Sequence, residues 1–192
     1  MSDIQIIDDY LPEKEYRSLY QYFIDSEFGY EGQSCPWYWV DGTSYFDDGY
    51  YMFVNLCYGN YTIVNNTMFN LLLPFTARLK VQAYFRIKAN LTLPTQTQQM
   101  DVSSQFHVDN PDCNVEGDSP MMTAIFYMNT NNGATVFEDG TIVESVANRL
   151  TIFPCHKKHA ARPHTEGSKN RIVINFNYYK GCESLLKYDG ND

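Results

Sequence analysis

The sequence predicts a mainly β fold, a jelly roll of short antiparallel strands with helices from the first third packed on one sheet. Three observations carry this. Aromatics make up 16% of the 192 residues, with 16 Tyr and 12 Phe, and these side chains favour pleated, half-buried surfaces. From Val81 onward apolar residues alternate with period two, as in strands with one face in a core. Turn residues (Asn131-Asn132-Gly133, Asp139-Gly140, Glu166-Gly167-Ser168) recur between short apolar runs, the spacing of a sandwich or barrel.

The elements follow in order. Residues 4–7 read as a short strand. Leu11-Pro12 opens a helix, since Pro is tolerated in a first turn and Glu13 and Glu15 suit its positive end. Tyr16, Leu19, Tyr20 and Phe23 form its buried stripe. Residues 35–58 are rich in aromatics, with turns at Gly42, Asp47-Asp48 and Gly49, and should form two short strands. Met68, Leu71, Leu72, Phe75 and Leu79 have helical spacing, with Pro74 expected to kink or split the helix. On the strand Val81–Leu91, Phe85, Ile87, Ala89 and Leu91 share one face. Tyr84, Arg86, Lys88 and Asn90 share the other, which meets water or a polar cavity. A polar loop over 92–104 leads to Gln105–Asp109. Further strands are expected over Met122–Asn129, Ala134–Glu138, Arg149–Pro154 and Arg171–Tyr179. Residues 1–192 read as one domain, with 1–80 as support and 81–180 as the core.

Composition excludes several classes. A net charge of -9 with only 14 Lys and Arg argues against nucleic acid or an anionic membrane as partner. Five cysteines, widely spaced and without a CxxC, fit neither a disulfide framework nor a structural zinc site, and read as reduced thiols. The start lacks a basic segment followed by an apolar one, and no apolar run is long enough to span a bilayer. A cytoplasmic location is the expectation.

Chemistry concentrates at His107-Val108-Asp109. In extended chain, residues i and i+2 point to the same side, so an imidazole and a carboxylate can aim at one point. A third ligand must come from His156, His159 or His164, which lie between the strand ending at Pro154 and the one starting near Arg171.

Five stretches in this order resemble the iron(II)- and 2-oxoglutarate-dependent oxygenases, and within them the prolyl-hydroxylase-like branch. His107-Val108-Asp109-Asn110-Pro111 is similar to the metal-binding turn, and Thr123–Asn129 to a strand written T-x-x-x-Y-L-N. Asn132–Phe137 is similar to a G-G-x-T-x-F turn and strand. Arg149–Pro154 resembles the strand before the distal His, and Arg171–Phe176 the last core strand. The family fold is the double-stranded β-helix, a cupin-like jelly roll. In the family the distal His precedes a short stretch ending in Pro, with an Arg further on. His159-Ala160-Ala161-Arg162-Pro163 followed by Arg171 fits this better than His164 or His156 does.

The resemblance implies a set of roles. His107, Asp109 and His159 would hold Fe(2+) as a facial triad with three open positions. Arg171 would pair with the distal carboxylate of 2-oxoglutarate, because a guanidinium fork matches a carboxylate. Tyr127 would assist it, and Asn175, Tyr84 and Asn90 are further candidates for the co-substrate. Dioxygen completes the chemistry, with ascorbate as a supporting reductant. The reaction implied is hydroxylation of an unactivated C–H bond of a peptide or small-molecule substrate, either a peptidyl proline or a free amino acid or small metabolite. A non-catalytic jelly-roll metal-binding module is the alternative. The segment 35–58 and the loops 92–104 and 110–120 would wall the substrate mouth.

Overall fold

The structure is a computed structural model and describes residues 3–25, 27, 29–44, 50–96, 102–110, 121–166 and 170–181. Its elements are β1 (Gln5–Ile7), α1 (Glu13–Phe23), β2 (Tyr38–Asp41), β3 (Tyr51–Gly59), β4 (Thr62–Ile63), α2 (Asn66–Arg78) and β5 (Val81–Thr92). A 3-10 turn (Val102–Gln105) follows, then β6 (Met121–Tyr127), β7 (Ala134–Phe137), β8 (Ile142–Glu144), β9 (Arg149–Pro154), β10 (His159–Arg162) and β11 (Arg171–Lys180).

The strands form two antiparallel sheets. The larger has the order β1-β9-β6-β11-β5-β3-β2, with β4 paired to β3, and the smaller has the order β10-β7-β8. This is the mainly β, jelly-roll architecture that the sequence predicts. The first third is less separate than expected, because β1, β2 and β3 complete the larger sheet.

The first eight residues of β11 are all buried, which requires cover on both faces. Ile172, Ile174, Phe176 and Tyr178 meet α1 and α2 through Leu19, Phe23, Met68, Leu72 and Phe75. Phe75 stacks on Phe176 with centroids 4.4 Å apart. On the other face Val173 joins Ile125, Tyr127, Phe137, Val143 and Phe153 between the sheets. Arg171, Asn175 and Asn177 share that inner face with Val173, because side chains alternate along a strand. The helices thus make the apolar outer cover, and the space between the sheets takes the polar residues.

Four local expectations are corrected. Of the kink or split expected at Pro74, the split does not occur, and helix α2 runs from Asn66 to Arg78. Asn65 caps it by accepting from the Met68 N–H at 3.0 Å. Burial of Leu72 and Phe75 on either side of the proline offsets the missing backbone donor. On β5 the expected faces hold from Arg86 onward but not at Tyr84. The pairing steps from Asn177↔Arg86 to Tyr178↔Tyr84, so Phe85 is an extra residue. Such a bulge reverses the alternation, turning Tyr84 towards Tyr58 and Phe69 on the helix side. His107 lies in an isolated bridge to His159 rather than in a strand. Cys155 is disulfide-bonded, against the reading of all thiols as reduced. Cys35 and Cys57 are free and buried, and burial pushes both thiols up to about 12.

Strands β4, β8 and β10 were not expected. At two to four residues each, they are too short for a period to show. The expected turns and walls at 45–49, 97–101, 111–120 and 167–169 lie outside the described residues. Among the described residues no helix is long and apolar enough to cross a membrane.

Asn148 fastens the chain entering α1 to the turn before β9. Its side chain accepts from the Leu11 N–H at 2.9 Å and donates to the Leu11 carbonyl at 2.8 Å. Its φ of 60° is one that Asn tolerates better than most residues. Asn148→Ala should lower unfolding stability by about 2–4 kcal/mol, from two lost hydrogen bonds and the strained φ. Asn148→Gly should lose less. Urea denaturation of both variants checks this.

Candidate metal centre and its cavity

The site forms where β5, β10 and β11 meet the segment after the 3-10 turn. His107 and His159 are locked together by reciprocal backbone hydrogen bonds of 3.1 and 3.0 Å. Their rings lie with centroids 4.9 Å apart. The Nδ1 of His107 faces the Gln105 carbonyl at 3.0 Å, and the Nδ1 of His159 faces the Lys157 carbonyl at 3.1 Å. A carbonyl only accepts, so each Nδ1 carries the proton and each Nε2 keeps its lone pair. Burial lowers the His159 pKa from the ordinary histidine value, which keeps the ring neutral and able to ligate.

Asp109 completes the set. One ligand atom from each of His107, Asp109 and His159 falls within 4.8 Å of the others. The Asp109 carboxylate accepts from Arg86 on Oδ1 at 3.0 Å, and from Asn175 and Asn177 on Oδ2 at 2.9 and 3.1 Å. Burial alone would raise its pKa. The Arg86 charge beside it, with the Asn175 hydrogen bond, overrides this and holds the carboxyl far below its usual range. The arrangement can bind a divalent cation through two imidazoles and a carboxylate.

These residues line a cavity of ≈ 70 Å³ that also reaches Lys88, Asn90, Thr135, Arg171 and Asn175. Arg171 is 5% exposed. Its Nε donates to the Ser145 hydroxyl at 2.9 Å, and Nη2 lies 3.4 Å from the Ala134 carbonyl and 3.5 Å from the Thr135 hydroxyl. All these partners are neutral, and no carboxylate among the described residues pairs with it. A buried guanidinium without a counter-charge is costly, so the residues fit an anionic ligand at this end of the cavity. Gly133 makes room for it, because a Cβ there would come within 2.9 Å of the Arg171 Cδ.

Of the three distal candidates, the structure brings His159 to the cluster. His156 lines a surface hollow with Asp139 and Lys157, and His164 is buried elsewhere, its carbonyl accepting from the Thr95 N–H at 2.8 Å. Asn175 lies in the cavity wall but engages Asp109. Asn90 lines the cavity as expected. Tyr127 lies beneath Arg171, with the guanidinium carbon 5.8 Å from its ring centroid. Its hydroxyl donates to Thr135 at 2.7 Å, and burial raises its pKa. Tyr84 is not brought to the site, and its hydroxyl donates to Thr76 at 3.0 Å.

Arg86, Asn177, Lys88, Thr135 and Ser145 were not singled out from the sequence. Arg86 and Lys88 were visible on the polar face of the Val81–Leu91 strand, and Asn177 shares the parity of Arg171 and Asn175. Ser145 carried no signal. Burial pushes the Lys88 pKa down to about 8, with Arg86 adding to the shift and Asp109 opposing it. Of the expected substrate wall, Thr43, Ser44 and Met52 line the cavity.

Comparison with known proteins points the same way. The model of the 2OG-Fe(II) oxygenase superfamily matches residues 95–179. No curated protein matches the chain. Among solved structures, a prolyl-4-hydroxylase from Pseudomonas putida is 15% identical with a TM-score of 0.51, covering 94% of each chain. A prolyl hydroxylase from Trichoplax adhaerens, solved with a hypoxia inducible factor peptide fragment, is 12% identical with a TM-score of 0.58. There 94% of this chain covers 84% of that one. A non-heme alpha ketoglutarate dependent epimerase from nogalamycin biosynthesis is 13% identical with a TM-score of 0.60, with 99% of this chain covering 85% of that one. At these identities the three structures share the fold.

Because the folded-state pKa of His159 lies below its unfolded value, the fold takes up fewer protons there than the unfolded chain. The stability linked to His159 is present above the unfolded histidine pKa of about 6.5 and is lost as pH falls below it. In metal-free protein, His159→Gln should remove this component, so its stability should fall less between pH 7 and pH 5. Denaturant midpoints at the two pH values read the difference.

Proposed function

We propose that this chain, whose residues 95–179 match the 2OG-Fe(II) oxygenase superfamily, is an iron(II)- and 2-oxoglutarate-dependent dioxygenase that hydroxylates an unactivated C–H bond. One observation carries the reading. A cavity has two histidines and an aspartate converging on one point and, in its wall, a buried arginine without a carboxylate partner among the described residues. A metal site or an arginine alone would be ordinary, but together they suit a co-substrate that chelates a metal at one end and carries an anion at the other.

In this reading His107, Asp109 and His159 hold the iron and Arg171 binds the distal carboxylate. With 2-oxoglutarate and dioxygen bound, the centre supplies the oxidising power for hydroxylation, giving succinate and carbon dioxide. The protein's own residues supply geometry. Gln105 and Lys157 carbonyls orient the two rings. Arg86, Asn175 and Asn177 fix the carboxylate. Ser145 and Thr135 aim the guanidinium.

The prolyl hydroxylases among the similar structures support a peptidyl proline as substrate. The polar lining of Lys88, Asn90 and Asn175 supports a second reading, a free amino acid or small metabolite. Succinate formation from 2-oxoglutarate with iron(II) and ascorbate tests the reaction. Wild type should turn over, and His107→Ala should fall to background. Arg171→Leu should raise the 2-oxoglutarate concentration required at least about tenfold, the loss of one charge-assisted pair. Equal succinate from wild type and His107→Ala would leave a metal-binding module instead.

A further inference from the structure

The cavity holds a second cation, Lys88, which the co-substrate does not need. We infer that Lys88 is a specificity residue that receives a carboxylate of the substrate, so the substrate is a small organic acid such as a free amino acid. This rests on the dioxygenase reading and narrows it.

Position separates Lys88 from Arg171. In the β5–β11 register Arg171 faces Thr92 and Lys88 faces Asn175. The two cations therefore enter about four residues apart, roughly 13 Å along the strands at about 3.3 Å per residue. Arg171 is held at its end by Ser145, Ala134 and Thr135. Lys88 stands at the level of Asn175, which holds Asp109, and so beside the metal ligands.

Charge gives the second reason. Iron(II), Asp109 and both carboxylates of 2-oxoglutarate sum to a single net negative charge, which Arg171 offsets. Arg86 is committed to Asp109 at 3.0 Å and is partly open to solvent. The Lys88 ammonium makes no hydrogen bond or ion pair among the described residues. Its ammonium has three donors and no acceptor, and it costs least when an anion meets it.

The neighbouring polar atoms fit the same ligand. The Oδ1 atoms of Asn90 and Asn175 are buried without a hydrogen-bond partner among the described residues, and both residues line the cavity beside Lys88. An ammonium group or hydroxyl on the acid would satisfy these acceptors while its carboxylate meets Lys88. A blocked peptidyl proline carries neither charge.

The test uses the full chain with manganese(II) in place of iron, and calorimetry as the readout. Free L-amino acids, L-proline among them, are titrated against their carboxamides and a blocked prolyl peptide, with and without 2-oxoglutarate. Wild type should bind at least one acid about tenfold or more tightly than its amide, the size of one charge-assisted hydrogen bond. Lys88→Met should erase that preference, and Lys88→Arg should retain part of it. Lys88→Met should still bind 2-oxoglutarate within about threefold of wild type, whereas Arg171→Leu should lose at least about tenfold. If Lys88→Met loses 2-oxoglutarate as Arg171→Leu does, the carboxylate on Lys88 is the co-substrate's and the inference is overturned. It is equally overturned if no acid outbinds its amide or if Lys88→Met keeps the preference. Failure of wild type to bind 2-oxoglutarate counts against the dioxygenase reading, and the acid–amide comparison with manganese alone still decides Lys88.

Discussion

The carboxylate of Asp109 is the point on which the site depends. It is buried between the sheets, where an unpaired charge would be costly. Arg86 from β5 and Asn175 and Asn177 from β11 converge on it. These donors keep it ionised and fix both oxygens, so it faces His159 Nε2 at 3.8 Å as a ready ligand. The two central strands of the larger sheet are thereby tied to the segment that carries His107. A charge that would normally weaken a core instead sets the register of the site.

That arrangement constrains the rest of the fold. Strands β5 and β11 must present polar residues inward, so their apolar payload faces outward. Outward burial is possible only because α1 and α2 cover that face with Leu19, Phe23, Met68, Leu72 and Phe75. The inner apolar cluster around Tyr127, Phe137 and Phe153 is smaller and fills the space beside the cavity. Phe153 and Phe137 also meet the His159 ring with centroids 4.9 and 6.1 Å away. Packing on one side and carbonyl hydrogen bonds on the other hold this imidazole in place.

The cavity is more basic than a metal and a dicarboxylate demand. Two cations, Lys88 and Arg171, line it from two neighbouring strands of a chain whose net charge is -9, with Arg86 paired to Asp109 nearby. Local concentration of positive charge in an acidic protein has a physical cost and calls for a ligand that offsets it. Overall charge is silent on this small interior patch.

Sequence by itself determined the parts of the protein that local pattern encodes. Period-two alternation marked β5, apolar runs between turns marked β6, β9 and β11, helical spacing marked α1 and α2, and H-x-D marked two candidate ligands one residue apart. It also pointed to His159, Arg171 and Asn90 through motif order and the polar face of β5. Only the tertiary structure decided which groups meet. The bulge at Phe85 turned Tyr84 out of the site, and no alternation pattern records an extra residue in one strand. Arg86 and Asn177 proved to be partners of Asp109, since pairing across β5 and β11 brings together residues about ninety apart in the chain. Ser145 came to Arg171 through β8, a strand of three residues that shows no period. Local propensity acts over a few residues, whereas a buried charge finds its partners wherever the sheet places them.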